Sequence, residues 1–472
     1  MLKELSKFTI NKTKSILNKR IIKDTVFVAF SNFLNSFVMF FKSLFIAGYF
    51  GASRSTDDYV FYQVFPLLVM SIFGGAISEG CLPIFKSLFN KSKEKLIKLY
   101  SDLEIIVIYV TIFITIIAFF LTVVFQKIYS HSYSKQLLIP IIFYLAIMPG
   151  SCAAICNSYF IANNQASSIA NASIISNLIS LIISICFSFV IGIYGIIVGW
   201  TTGHLLRYLL LRTKIRIKVN FTICQNKLKN SWSIVKEVFI IAFPIMVASS
   251  IEKLYLVVDR SFAYSLKNGR LSNLYFANSL SELPIMILIS AISYVAYPKL
   301  FDWINELKQE DITEKFQKFI MYLIMISTIF IFLMSFFPHT IISIIYERGK
   351  FTSTDRIITA RCLQLLTIGF ISKVLYISLA RVLYIVGKQK EIILIIFIPL
   401  VVKFFGNKIF INRFEIYSIA STTSLANILM LWLLFFKINT FKFPIWKIFK
   451  KIKIIAAYIL LTILPIVSIS LK

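Results

Sequence analysis

Apolar residues in this chain fall in long runs of about 20, separated by short clusters rich in lysine, arginine, asparagine and serine. Each run is long enough to cross a hydrocarbon core of roughly 30 Å. Backbone polar groups cannot be left unpaired in lipid, so each run must be a helix rather than an open strand. About 13 spans are predicted, near 25–50, 59–84, 103–125, 137–161, 168–190, 192–211, 236–264, 274–299, 317–345, 357–386, 391–409, 415–436 and 453–471. The ninth and tenth runs are long and contain Pro338 or many polar groups, so re-entrant pieces are an alternative there. The expected fold class is an all-α polytopic membrane protein.

Basic residues crowd into alternate connections. The tail before the first span carries Lys3, Lys7, Lys12, Lys14, Lys19, Arg20 and Lys23, and the second connection Lys86, Lys91, Lys93, Lys95 and Lys98. The sixth carries Arg212, Lys214, Arg216, Lys218, Lys227 and Lys229, and the twelfth Lys442, Lys447, Lys450 and Lys451. Connections on the other side are poorer in base, such as Arg54 with Asp57 and Asp58. This bias places the N-terminus in the cytoplasm of a multi-pass bacterial plasma (inner) membrane protein, and the last residue outside.

Composition agrees. Of 472 residues, 58% are hydrophobic and 15% charged, well below the roughly one quarter charged in soluble domains. The formal net charge of +29 follows the topology, and no stretch reads as a nucleic-acid-binding module. Residues 1–24 lack a small-residue cleavage site and are not a cleavable signal peptide. Leu5, Phe8, Ile16 and Leu17 among lysines suit an interfacial helix. The six cysteines (Cys81, Cys152, Cys156, Cys186, Cys224, Cys362) are scattered, and none forms a metal-binding spacing.

An internal repeat suggests two lobes. Ala76-Ile77-Ser78 precedes Pro83 at the end of the second span, and Ala291-Ile292-Ser293 precedes Pro298 at the end of the eighth, with the same spacing. The expected organisation is a basic N-terminal segment (1–24), an N-lobe (25–212), a basic cytoplasmic linker (213–235), a C-lobe (236–436), and a basic loop with a final span (437–472). Two six-helix lobes in pseudo-twofold arrangement around a central cavity, plus about one extra C-terminal span, form a plan common among transporters.

Charges inside spans are costly unless they face water or a partner, so each is a functional candidate. Asn35 and Lys42 share one face of the first span, extended by Ser31. Snorkelling of Lys42 to an interface is the alternative. Glu252, Asp259 and Arg260 share a face of the seventh span, where an internal ion pair is the alternative role. Asn278 and Glu282 lie on the eighth, Glu79 deep in the second, and Lys373 near the middle of the tenth, with Arg361 and Arg381 towards its ends. Arg381 also suits an interfacial anchor. Together these supply cations for an anionic head group, and carboxylates that would equally suit ion coupling.

No catalytic constellation is present. His131, His204 and His339 lie far apart in sequence, and no GxxxxGK[ST] phosphate loop occurs. No enzyme activity, cofactor or metal is expected.

Three stretches resemble the MurJ/MviN lipid II flippases of the multidrug/oligosaccharidyl-lipid/polysaccharide exporter superfamily. The first runs from Phe50-Gly51-Ala52 through Thr56-Asp57, Pro66 and Gly74-Gly75-Ala76 to Pro83. The second runs from Val258-Asp259-Arg260 through Tyr275-Phe276-Ala277-Asn278 and Leu283-Pro284 to Pro298. The third is Glu347-Arg348-Gly349-Lys350-Phe351-Thr352, then Thr359-Ala360-Arg361, Lys373-Val374-Leu375 and Leu383-Tyr384. Asn157 with Asn177 is a weaker echo. The resemblance implies a V-shaped pair of lobes around a cationic cavity, and alternating-access transport of an undecaprenyl-diphosphate-linked sugar. Where the family has a first-span cavity arginine this chain has Lys42, and the following acidic position is Ser43. The second-span arginine pair falls on Met70 and Ser71, and the eighth-span arginine on Ser279, whereas Asp57 matches. By length, the family's two final helices are reduced to about one.

The expected function is a flippase for lipid II or a related glycan intermediate in cell-wall biogenesis. Lys42, Arg260, Lys373, Asn35 and Arg361 are expected to bind substrate, and Asp57, Glu79, Glu252, Asp259 and Glu282 to couple or gate. Expected partners are the lipid-linked oligosaccharide, membrane lipids and cell-wall synthesis machinery, with the protein itself a monomer. Alternatives are a capsule, teichoic or O-antigen-type precursor flippase, a cation-coupled small-molecule exporter, and a non-transporting scaffold.

Overall fold

The structure, a computed structural model, describes residues 27–28, 30–129, 138–215, 224–291, 309–385, 388, 390–440, 458, 460–463 and 465–466. The N-terminal half comprises α1 (Phe30–Phe50), α2 (Arg54–Phe89), α3 (Lys93–Tyr129), α4 (Leu138–Ala162), α5 (Ala166–Ile191) and α6 (Ile193–Lys214). The C-terminal half comprises α7 (Cys224–Tyr264), α8 (Arg270–Ala291), α9 (Gln309–Phe336), α10 (Pro338–Tyr346), α11 (Ser353–Ile368), α12 (Phe370–Ile385), α13 (Lys390–Phe414) and α14 (Ile416–Thr440). All regular elements among the described residues are helical. Among the described residues nine helices are long and apolar enough to cross a membrane, or ten with one bent pair. The expected segment 1–24, the second copy of the repeat from Ile292 onward, and most of 437–472 lie outside the described residues.

The long runs differ from their sequence-based boundaries for local reasons. The ninth run divides at Pro338, which ends α9 and starts α10 as its first residue, where the missing N–H costs nothing. The tenth run is two helices, α11 and α12, bent by 47°. At the bend the Ser424 hydroxyl donates to the carbonyl oxygens of Leu365 (2.6 Å) and Leu366 (3.2 Å). A side chain inserted at carbonyls of a helix end is an established cause of such kinks. α7 starts at Cys224, so part of the stretch expected as linker is helix. Within α2, a π-helical turn over Met70–Ala76 interrupts the α-helix.

Packing follows small residues. α5 buries Ala170, Ser173, Ser176, Ser180, Ser184 and Ser188, spaced by three or four so that they form one stripe. The stripe meets Gly195, Gly199 and Gly203 of α6, and the Ser180 hydroxyl donates to the Gly199 carbonyl at 2.5 Å. Close backbone approach of this kind holds helices together where lipid removes the hydrophobic drive. The opposite face of α5 shows Ile182, Phe189 and Val190 outward.

Two apolar cores belong mainly to one half each. One gathers Phe85, Leu103 and Phe160 with Val238 of α7, and the other Phe316, Phe370, Leu379 and Leu434. A third spans both halves, joining Ile46, Tyr59, Phe143 and Trp200 to Phe276, Tyr346, Phe351 and Ile419. The halves are therefore fused at the end carrying the α1–α2 turn.

Candidate functional site

That fused end is closed by backbone contacts as well as apolar packing. The Asp57 carboxylate, in the first turn of α2, accepts from the Gly269 and Ser272 backbone N–H groups at 2.6 and 2.7 Å and from the Ser272 hydroxyl at 2.5 Å. Gly269 and Ser272 form the N-terminus of α8, so a carboxylate of one half caps a helix of the other. The neighbouring Asp58 accepts from the Tyr264 hydroxyl at 2.6 Å, and Arg54 lies 3.9 Å from the Tyr264 ring centroid. Gly51 has a φ of +67°, and a Cβ there would stand 2.4 Å from the Lys350 carbonyl oxygen. Only glycine allows both that backbone conformation and that approach.

The ERGKFT stretch builds the same seam. The Lys350 N–H donates to the Gly48 carbonyl at 2.8 Å, and Phe351 packs between Phe276 and Tyr346. Thr352 caps α11 in a reciprocal box with Asp355. Arg356 pairs with Glu347 at 2.8 Å. The Ser343 hydroxyl and this guanidinium hold the Glu347 carboxyl below its usual range.

Beyond the seam, α1, α2, α6, α7, α8, α12, α13 and α14 surround a cavity of about 810 Å³. Lys42, Asn35, Arg260 and Lys373 line it, as do Glu252, Asp259 and Glu282. Lys42 is 4% exposed, and its ammonium reaches the Ile196 carbonyl at 3.4 Å. Among the described residues no carboxylate pairs with it. Asn35 accepts from Asn177 at 2.9 Å, which fixes its amide. Arg260, on α7, crosses to the other half, donating to the Val60 carbonyl and to Gln63 Oε1 at 3.4 Å. Lys373 bonds to Glu282 and Asp259 to Lys403, the latter at 2.7 Å.

Three expected site residues lie elsewhere. Asp57 sits in the seam. Glu79 lines a second pocket of about 450 Å³, which shares Glu252, Tyr376 and Ile377 with the main cavity and includes Arg381. Arg361 faces outward from α11, 5.8 Å from the Tyr417 ring centroid, and does not line the cavity. Conversely, Lys403, Lys253 and Gln63 line the cavity without having been singled out. Lys403 carried the same signal as the others, a charge within an apolar run, followed by Asn407 one turn later.

His204 lies in α6 with its ring 4.4 Å from Trp200, and His339 lies in α10; His131 is outside the described residues. Among the described residues no group of three or more His, Cys, Asp or Glu side chains could hold a metal. Chemically, the arrangement is a water-sized-to-ligand-sized chamber within a helical bundle, with cations of both halves on its wall. It suits reversible binding of an anion.

A family model described as lipid II flippase MurJ matches residues 46–472. The probable lipid II flippase MurJ of Buchnera aphidicola subsp. Baizongia pistaciae (strain Bp) is 24% identical over 472 residues, covering 95% of this chain and 90% of the relative. That of Buchnera aphidicola subsp. Acyrthosiphon pisum (strain APS) is 24% identical over 385 residues, covering 77% and 73%. Among solved structures, a lipid II flippase MurJ in an inward closed conformation superposes with a TM-score of 0.72 at 21% identity, covering 94% of this chain and 98% of that one. An inward-facing MATE family multidrug transporter of the MOP superfamily gives 0.73 at 11% identity, covering 89% and 96%. At such identities these structures establish the helical fold.

Proposed function

From the premise that this chain belongs to the lipid II flippase MurJ family, we propose that Lys42 and Arg260 hold the diphosphate of a lipid-linked peptidoglycan precursor while the two lobes rock around it. The carrying observation is Lys42. A buried ammonium with a single long carbonyl contact is expensive to keep in a membrane unless a ligand completes it. A diphosphate offers several charge-bearing oxygens, which strengthen hydrogen bonds from an ammonium and a guanidinium.

The seam is the gate on the far side. With the N-terminus in the cytoplasm of a bacterial inner membrane, the α1–α2 turn lies outside, and the seam closes the external face. Substrate then enters from the cytoplasmic side. Its head group draws α1 and α7 together through Lys42 and Arg260, and release outward requires Asp57 to leave the α8 N-terminus. Glu79 and Glu252 stand near the cytoplasmic mouth and bias that closure by mutual repulsion. Nothing in this cycle makes or breaks a covalent bond, so the protein acts as a transporter and not an enzyme.

Depletion of the protein in its host tests the reading. Lipid II should accumulate and stay inaccessible to enzymes or probes added outside the cell. Accumulation of a different undecaprenyl-linked glycan, with lipid II unchanged, would reassign the cargo.

A further inference from the structure

Asp259 is one of the five carboxylates expected to couple or gate, yet it already holds a cation. One oxygen accepts from the Lys403 ammonium at 2.7 Å, with the two side chains 11% and 1% exposed. The same ammonium lies 5.2 Å from the Tyr255 ring centroid. Arg260 and Lys373 are the other charges that act on this pair. Asn407, one turn along α13 from Lys403, faces Asp259 and accepts from the Thr422 hydroxyl of α14. Neither Asp259 Oδ1 nor Asn407 Nδ2 completes a hydrogen bond. The pair sits on the wall of the main cavity.

A carboxylate in such a wall needs a counter-charge at every stage of a transport cycle. An ion-coupled carrier obtains it by loading and releasing a free ion. Here it is part of the chain. Lys403 and Asp259 lie on α13 and α7, which pack directly against each other, so rocking one lobe against the other leaves them together. We propose that Lys403 is a built-in counter-cation, occupying the place at Asp259 that a free monovalent cation would otherwise take, so that the lobes change state without binding an ion there. Without the ammonium, the Asp259 carboxylate would stand on the cavity wall as a hard oxygen ligand, suited to an alkali cation completed by water.

The test is thermal unfolding of the purified full-length protein in NaCl, KCl and choline chloride at equal ionic strength, a readout independent of cargo. The wild type should unfold at one temperature in all three. Lys403→Ala should unfold a few degrees higher in Na⁺ or K⁺ than in choline, because a ligand of the folded state stabilises it. Lys403→Ala combined with Asp259→Asn should lose that response. In vesicles, replacing alkali cations by choline should leave wild-type flipping within about twofold and slow Lys403→Ala by roughly tenfold, a typical coupling between sites. A wild type stabilised by Na⁺ or K⁺ in a manner abolished by Asp259→Asn would overturn the proposal, as would a folded Lys403→Ala indifferent to cations. Should Lys403→Ala fail to fold, the comparison of wild type with Asp259→Asn decides alone.

Discussion

Two ion pairs on the cavity wall look alike on paper and differ in what they contribute. Lys373 and Glu282 are 29% and 34% exposed, whereas Lys403 and Asp259 are 1% and 11% exposed. Water and counter-ions screen the first pair, so a double-mutant cycle of Lys373→Met with Glu282→Gln should return a coupling of roughly 0–1 kcal/mol. Asp259→Ala strands an ammonium with no acid partner, and should cost about 3–5 kcal/mol in chemical unfolding. Equal values for the two would contradict the burial difference. The sequence rule that singles out polar and charged groups inside apolar runs picked out Asn35, Lys42, Glu252, Asp259, Arg260, Glu282 and Lys373, all of which line one cavity. It could not say which of them neutralise each other, because pairing joins α8 to α12 and α7 to α13, and no local spacing encodes that. Arg361 illustrates the opposite limit. It shares a run with Lys373, but its position on the helix turns it outward, beside Tyr417.

At the scale of elements, the seam turns on a few backbone-determined contacts. Asp57 satisfies two N–H groups at the start of α8, donors that a helix leaves unpaired. Asp57→Ala should therefore destabilise the closed seam by about 1–3 kcal/mol. A cysteine at Ser43, buried beside Tyr346, should then react faster with a membrane-impermeant maleimide applied outside. Unchanged labelling would mean that Asp57 does not hold the gate. Gly51→Ala should act in the same direction, since its methyl would meet the Lys350 carbonyl. Helix positions were largely legible from hydrophobic run length, because lipid-facing and core-facing residues are both apolar. The bend between α11 and α12 was not, since Ser424, some 60 residues downstream, supplies the hydroxyl that enters the α11 end. The extension of α7 back to Cys224 was equally hidden, because its first residues carry the polar composition of a linker.

For the whole molecule, the decisive feature is asymmetry between the two ends of the bundle. One apolar core and the Asp57 seam join the lobes at the α1–α2 end, while the other two cores belong mainly to one lobe each, with Val235 and Val238 of α7 packed into the N-terminal one. The central claim is that Lys42 and Arg260 provide the positive charge that moves the head group across. Its most direct test is flipping of lipid II in vesicles containing the purified protein, followed by access of an external probe to the newly exposed head group. Wild type should flip, and Lys42→Met with Arg260→Met should lower the rate by roughly a hundredfold or more, as two charge-assisted contacts are removed. Lys42→Arg should remain active. Undiminished flipping by the doubly neutralised variant would contradict the account.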